Sequence, residues 1–270
     1  MFKIDFNHVS FDYEEKNTFS KAIRDVDFSV KEGEFVSVIG PSGCGKSTLL
    51  SLAVGLNFPS QGSVLLNGEN IAGTSSDRGV VFQHYSLFPW MTAKRNVTFG
   101  IRQVRKELNH RTIEKIADEY LDLVGLNDFK NKYPRQLSGG MQQRVAIARA
   151  FAMNPNILLM DEPFGAVDAK TRILLQEVLL NLWEKGERKK TVLFVTHDID
   201  EAIYLSDKII VMSAGPGTVK KEVNIPFARP RNRNYLVKTD EYLELRNDLL
   251  NLFYFYDELL QKIGGDEVAI

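Results

Sequence analysis

The stretch Gly40-Pro41-Ser42-Gly43-Cys44-Gly45-Lys46-Ser47-Thr48 decides the fold. Before it runs Phe35-Val36-Ser37-Val38-Ile39, short, apolar and β-branched, the pattern of a buried strand. After it, Leu49-Leu50-Ser51-Leu52-Ala53-Val54 favours helix. Strand, glycine loop and helix are the context of a phosphate-binding loop, and the spacing matches G-x-x-x-x-G-K-[ST]. Gly40, Gly43 and Gly45 permit backbone turns that aim several N–H groups at one anion. The helix start adds unpaired N–H groups and a positive dipole end. Lys46 offers a full charge to terminal phosphates, and Ser47 a hydroxyl to Mg²⁺. The glycines do not fall at G-x-G-x-x-G, which argues against a dinucleotide loop. The stretch reads as the binding loop of a nucleoside triphosphate.

Composition sets the wider bounds. The 270 residues are 44% hydrophobic and 26% charged with a formal net charge of −1, which suits a globular chain with ample core. Near-neutrality supplies no basic field for nucleic acid. Cys44 is the single cysteine, so no internal disulfide forms, a reducing compartment fits, and the thiol reads as a small filler. The amino terminus alternates like a strand rather than a signal peptide. Leu49–Phe58 and the other apolar runs fall short of the ~20 residues that span a bilayer. A cytoplasmic protein is expected, unless another subunit holds it at a membrane.

Before the loop, strands are expected at Phe2–Phe6, Ala22–Val30 and Phe35–Ile39, with Tyr13 in the first connection. An aromatic there either stacks on a base or packs on the small sheet; residues alone favour packing. Gln61–Gly68 reads as strand and turn. Gly79–Phe82 reads as a buried strand ending at Gln83, whose amide either reaches Mg²⁺ and attacking water or is an ordinary loop residue. His84–Thr92 is unusually apolar, and Pro89 breaks any helix; it either fills core or lines a groove for another protein's helix. Helical period follows over Asn109–Val124, stopped by Gly125.

Leu137-Ser138-Gly139-Gly140-Met141-Gln142-Gln143-Arg144 opens another helix, with Ser138 as N-cap and two glycines that let an anion approach. A capped helix start is its commoner explanation. Ile157–Met160 reads as a strand buried on both faces, ending in Asp161 and Glu162. Beside the phosphate loop, Asp161 suits Mg²⁺ through water and Glu162 suits the polarisation of attacking water. Asp168 caps a helix to about Lys185, ended by Gly186, and the Glu187–Lys190 run reads as a solvated turn. Thr191–Thr196 is a strand ending at His197, and Lys208–Met212 is one more. Past Pro226, Arg229-Pro230-Arg231-Asn232-Arg233 reads as a solvated basic segment. Leu245, Leu249, Leu252, Tyr256, Leu259 and Ile263 mark an amphipathic helix.

Taken in order, Gly40–Thr48, Gln83, Leu137–Gly140, Asp161-Glu162 and His197 resemble an ABC-transporter ATP-binding subunit over about residues 1–225. Leu-Ser-Gly-Gly separates that family from other phosphate-loop proteins. The resemblance implies an α/β P-loop NTPase (RecA-like) core over about 30–85 and 155–225. To this it adds an N-terminal antiparallel β subdomain, a helical insertion over about 86–150 and a helical tail over 226–270. It implies ATP and Mg²⁺ as cofactors. Tyr13 would stack on adenine, and Gly40, Pro41, Ser42, Gly43, Cys44, Gly45, Lys46, Ser47 and Thr48 would hold the phosphates. Ser47, Gln83 and Asp161 would serve Mg²⁺; Glu162, His197 and Gln83 would serve hydrolysis. Ser138, Gly139 and Gly140 would reach the ATP of the opposite subunit in a head-to-tail homodimer, and Asp168 would touch that subunit.

Met141 stands where Gln is commonest and Val167 where Leu is usual; neither alters a phosphate contact. The run Phe82–Trp90, Thr191–Glu201 and Met212–Gly217 further resembles importers of nitrate, sulfonates and taurine. This implies membrane permease partners docked near Pro89 and Trp90, an indirect extracytoplasmic substrate-binding protein, no nucleic acid, and a place on the cytoplasmic face of the membrane. The rival readings are a soluble ABC-type ATPase acting on nucleic acid or ribosomes, and a nucleotide-dependent regulator.

Overall fold

The computed structural model describes residues 2–15, 18–83, 85–165, 167–184 and 189–255. His84, Ala166, the expected helix end at Lys185-Gly186, Glu187-Arg188, and the stripe positions Tyr256, Leu259 and Ile263 lie outside them. A long hairpin opens the chain, β1 (Phe2–Glu15) and β2 (Thr18–Lys31), followed by β3 (Phe35–Ile39), α1 (Lys46–Val54), β4 (Gln61–Leu66), β5 (Glu69–Asn70) and β6 (Arg78–Val81). Three helices come next, α2 (Ala93–Val104), α3 (His110–Leu123) and α4 (Gly139–Ala152). The chain then alternates through β7 (Ile157–Asp161), α5 (Ala169–Glu184), β8 (Thr191–Val195), α6 (Ile199–Leu205) and β9 (Lys208–Met212) to β10 (Val219–Asn224). It ends in α7 (Arg233–Leu236), α8 (Asp240–Leu250) and a wide turn over Asn251–Phe255.

Two sheets result. An antiparallel one has the order β2-β1-β4-β5, and a six-stranded one the order β10-β9-β3-β8-β7-β6. In the second, β9, β3, β8, β7 and β6 run parallel and β10 closes the edge antiparallel. Strands buried on both faces read as continuous apolar runs, and period two sorts their side chains. Phe35, Leu158, Met160, Phe194 and Val211 pack toward α4, α5, α6 and the tail. Val36, Val38, Leu159, Leu193 and Ile210 pack toward α1 and the antiparallel sheet. Among the described residues, no helix is long and apolar enough to cross a membrane.

Two expectations are corrected. Tyr13 is not in a connection: it lies within β1, paired with Ser20. Register shifts at four places in the β1–β2 ladder, near His8 and Asp25 with positive φ, break the alternation that marks a strand in sequence. The basic segment is not solvated. Arg231 Nη1 donates to the carbonyls of Ile203 (2.9 Å) and Tyr204 (2.8 Å), Arg229 Nη2 to that of Leu205, and Arg229 Nε to Asp207 (2.8 Å). A helix end leaves four carbonyls without partners, and here the end of α6 takes its donors from arginine.

The tail packs into the main core as well. Leu249, Tyr242 and Phe253 are buried against it, while Leu243 on the same helix is exposed. Beneath α6 sits a buried polar cluster. Thr196 Oγ1 donates to Glu201 Oε2 (2.7 Å) and Gln176 Nε2 to Glu201 Oε1 (3.0 Å), with Arg172 Nε at 3.5 Å from the same carboxylate. Burial pushes the Glu201 carboxyl up to about 7, ahead of the opposing pull of Thr196, Arg172 and Gln176.

Leu249→Ala is expected to lower unfolding free energy by about 2–5 kcal/mol and Leu243→Ala by about 0.5 kcal/mol or less, read by urea denaturation. Equal losses would contradict the docking of α8. For Glu201 the folded group holds its proton to higher pH than the unfolded one. Its contribution to stability therefore falls as pH rises from the ordinary glutamate range to about 7. Glu201→Gln removes that fall, so the stability of the variant relative to the parent rises across this window. A difference independent of pH would count against it.

Candidate functional site

The loop between β3 and α1 takes its shape from glycine. Gly43 and Gly45 have φ of 78° and 93°. A methyl group at Gly45 would lie 2.3 Å from Ile23 Cγ2, and one at Gly40 2.7 Å from Cys44 Sγ. Cys44 is fully buried, and burial pushes its thiol up, away from the reactive thiolate. Lys46 is buried too. Its Nζ donates to the carbonyls of Gly40 (2.7 Å) and Pro41 (2.9 Å), and no salt bridge reaches it among the described residues. A buried ammonium whose partners are two carbonyls and the Cys44 Sγ (3.8 Å), with no carboxylate among them, fits a phosphate chain beside a glycine cradle. Tyr13 stands at the rim, 41% exposed, its hydroxyl 3.1 Å from Thr48 Oγ1 and its ring edge-on to Phe11.

The carboxyl ends of β7 and β8 face this loop. Ser47 Oγ donates to Asp161 Oδ1 at 3.2 Å, and burial pushes the Asp161 carboxyl up against the pull of that bond. A hydroxyl and a carboxylate in contact form an oxygen donor pair of the kind a hard divalent cation takes. Glu162 leaves the strand with φ of 41°, rare for a residue with a side chain, and its N–H donates to the carbonyl of Val195 (3.0 Å). That turn carries the carboxylate to His197: Glu162 Oε2 and His197 Nδ1 are 3.1 Å apart. Gln83 joins them. A methyl at Gly165 would lie 3.6 Å from Glu162 Oε2 and 3.7 Å from Gln83 Nε2. Lys46, Ser47, Asp161, Glu162, His197 and Gln83 thus gather at one end of the parallel sheet, as ligand sites of such sheets do.

Ser138 sits elsewhere. It caps α4, accepting from the Met141 N–H (3.3 Å), and α4 begins against α5, where a methyl on Gly140 would lie 2.5 Å from Thr171 Cγ2. Thr171 also donates to Asp168 from its N–H (3.0 Å) and hydroxyl (2.6 Å), holding the Asp168 carboxyl below its usual range. Among the described residues no hydrogen bond joins Ser138, Gly139 or Gly140 to the loop at 40–48. These groups therefore form a second, separate face on the same chain.

A groove of roughly 800 Å³ opens on the helical segment, lined by Trp90, Arg95, Phe99, Arg102 and Tyr133 among others. Asn96 shapes it. Fully buried, its Oδ1 accepts from Phe88 N–H (2.8 Å) and its Nδ2 donates to the carbonyls of Phe88, Met91 and Thr92. The loop so folded leaves Trp90 68% exposed. Sequence reading missed Asn96 and the support behind His197, where Asp198 accepts from Glu201 N–H and Thr196 Oγ1 from Asp198 N–H, both at 3.0 Å. The visible signal was Asp198-x-x-Glu201, a capping pattern whose burial the sequence conceals.

Comparison with known proteins gives the family and agrees with the fold. The family described as ABC transporter matches residues 23–165. An uncharacterized ABC transporter ATP-binding protein of Methanocaldococcus jannaschii is 50% identical over 90% of this chain and 87% of its own. The nitrate import ATP-binding protein NrtD of Synechococcus elongatus is 49% identical over 86% of this chain and 85% of its own. The aliphatic sulfonates import ATP-binding protein SsuB of Bacillus cereus is 42% identical over 93% and 96%. A solved dimeric ATP-binding cassette in a post-hydrolysis state, bound to ADP and Pi, superposes with a TM-score of 0.73 at 36% identity, covering 83% of this chain and all of that one. The α/β core, the antiparallel sheet and the inserted helices are those of an ATP-binding cassette, and the chain belongs to the ABC transporter family as one of its ATP-binding subunits.

Proposed function

We propose that the chain is the ATP-hydrolysing subunit of an importer that energises uptake of a small anion or sulfonate, of nitrate, alkanesulfonate or taurine type, through a membrane permease. The observation that carries the reading is the meeting of Lys46, Asp161, Glu162, His197 and Gln83 at one sheet end, in a chain 49% identical to a nitrate import ATP-binding protein. Gly40–Thr48 hold the triphosphate, with Lys46 on its terminal phosphates and Tyr13 against the base. Ser47, Asp161 and Gln83 are the oxygen donors for Mg²⁺, which when bound draws charge from the phosphate oxygens. Glu162 orients and polarises the attacking water, and His197 steadies the carboxylate and the γ-phosphate.

The separate face at Ser138–Gly140 supports a head-to-tail homodimer, in which each capped helix start meets the nucleotide of the twin. Asp168, bonded to Thr171 beside it, lies at that contact. The groove under Trp90 suits a helix of the permease, which supports a peripheral position on the cytoplasmic face of the membrane. An extracytoplasmic binding protein would deliver cargo without touching this chain, and nucleic acid has no part.

Glu162→Gln is expected to keep ATP affinity and lose about 10²-fold or more in phosphate release, with a nucleotide-trapped dimer on size exclusion. Parent-like turnover would remove Glu162 from its role. Lys46→Ala should weaken ATP binding about tenfold or more by isothermal titration, and unchanged binding would contradict the phosphate assignment. For the cargo, a strain lacking the gene should fail to grow on one of nitrate, taurine or an alkanesulfonate as sole source of nitrogen or sulfur. Undiminished growth on all three would sink that class.

A further inference from the structure

Helix α6 begins one residue after His197-Asp198 and has seven residues, too few to hold a helical direction by itself. Apolar burial of Ile199, Ala202, Ile203 and Leu205 seats it on the core, and side chains of α5 and of the tail grip its two ends. At its first turn, Asp200 Oδ1 accepts from Tyr242 Oη (2.6 Å) and Arg246 Nε (2.7 Å), both on α8. At its last turn the carbonyls of Ile203, Tyr204 and Leu205 take the guanidinium groups of Arg231 and Arg229.

The third grip reaches the histidine itself. Arg233 lies over the Tyr204 ring, 3.8 Å from its centroid, and donates to Gln176 Oε1. Gln176 Nε2 in turn bonds Glu201, Glu201 accepts from Thr196, and Thr196 Oγ1 accepts from the N–H of Asp198. Thr196 and Asp198 are the two neighbours of His197 in the chain, so the bonds end on both sides of that residue. Every link is a hydrogen bond between buried or half-buried groups, where loss of one partner leaves the other unsatisfied.

We infer that the tail is a clamp whose Arg233, Tyr242 and Arg246 are positioning residues for His197, holding its ring against Glu162 through α6. The inference rests on the reading of His197 as part of the hydrolytic group. It assigns the tail a place in turnover rather than in nucleotide binding, since none of its bonds reaches the loop at 40–48 among the described residues. The clamp is built from charged and hydroxyl groups on a half-exposed surface. Tail residues can therefore govern turnover from outside the sheet end.

The test uses the full-length chain as Tyr242→Phe with Arg246→Ala, as Arg233→Ala, and as Arg246→Lys. Selective labelling of the histidine ring at Cε1 gives four signals at most, one of them His197. Clamp loss in the first two variants should shift the His197 signal, leave that of His8 in place, and lower kcat on the order of tenfold at unchanged KM for ATP. Arg246→Lys, which keeps the charge facing Asp200, should stay near the parent. A His197 signal unmoved in both variants overturns the clamp, as does a moved signal with kcat within about twofold of the parent. A parallel fall of kcat and rise of KM would mean general loosening and also overturns it. Parent-like hydrolysis by His197→Ala would instead remove the underlying reading of the histidine, and the clamp's role in turnover with it.

Discussion

A lysine ammonium buried among backbone carbonyls is the constraint on which the architecture turns. Lys46 is 7% exposed, and its partners are the carbonyl oxygens of Gly40 and Pro41 and, at 3.8 Å, the Cys44 sulfur. A cation in that setting is stable only where the backbone surrounds it closely, and closeness here is bought with missing side chains. The room is taken by neighbours from far along the chain. Ile23 and the Ala22 carbonyl press on Gly45, and a methyl at Gly217 would lie 1.9 Å from the Cys44 carbonyl. Reciprocal backbone bonds tie these neighbours together, Arg24 N–H to Gly217 O (2.9 Å) and Gly217 N–H to Ala22 O (3.0 Å). The antiparallel sheet and the turn after β9 are therefore walls of the loop, not appendages to it.

Strand order does the rest. β8 lies between β3 and β7, so the residues that leave these three strands meet although they stand at 46, 161–162 and 197. Thr196 N–H donates to Val38 O, and Glu162 N–H to Val195 O, which extends the ladder one step beyond the strands and fixes the exits relative to one another. The left-handed backbone of Glu162 is the one strained point in this arrangement of exits. It turns the carboxylate out of the sheet and toward His197.

Much of this was legible in sequence because it rests on local rules. The loop at 40–48, the strands at 35–39, 157–161 and 191–195, and the caps at Ser138 and Asp168 all follow from glycine placement, apolar runs and short polar caps. What failed was long-range. The hairpin hid its length behind bulges that spoil alternation, so Tyr13 read as a turn residue. The arginines at 229–233 read as solvated because five residues of Arg, Pro and Asn carry no sign of the helix end they cap. Glu201 was missed altogether, because Asp198-x-x-Glu201 shows in sequence no more than a capping pattern and only packing by Gln176 and Thr196 turns it into a buried acid.

The two halves of the site are built from different materials, and the difference bears on control. The phosphate loop is backbone wedged by backbone, with Cys44, Lys46 and Thr48 all buried. Gln83, Ser138 and His197 are exposed side chains, and the groups next to His197 are held by hydrogen bonds as well as by the packed carbon of β8 and α6. Packed backbone has few alternative arrangements, whereas a hydrogen-bonded side chain exchanges partners at modest cost. On the proposed reading, the rigid half sets affinity for the triphosphate and the adjustable half carries the groups that face the water and the second subunit, so that a partner acting on loops or helices alters turnover while leaving the grip on nucleotide unchanged.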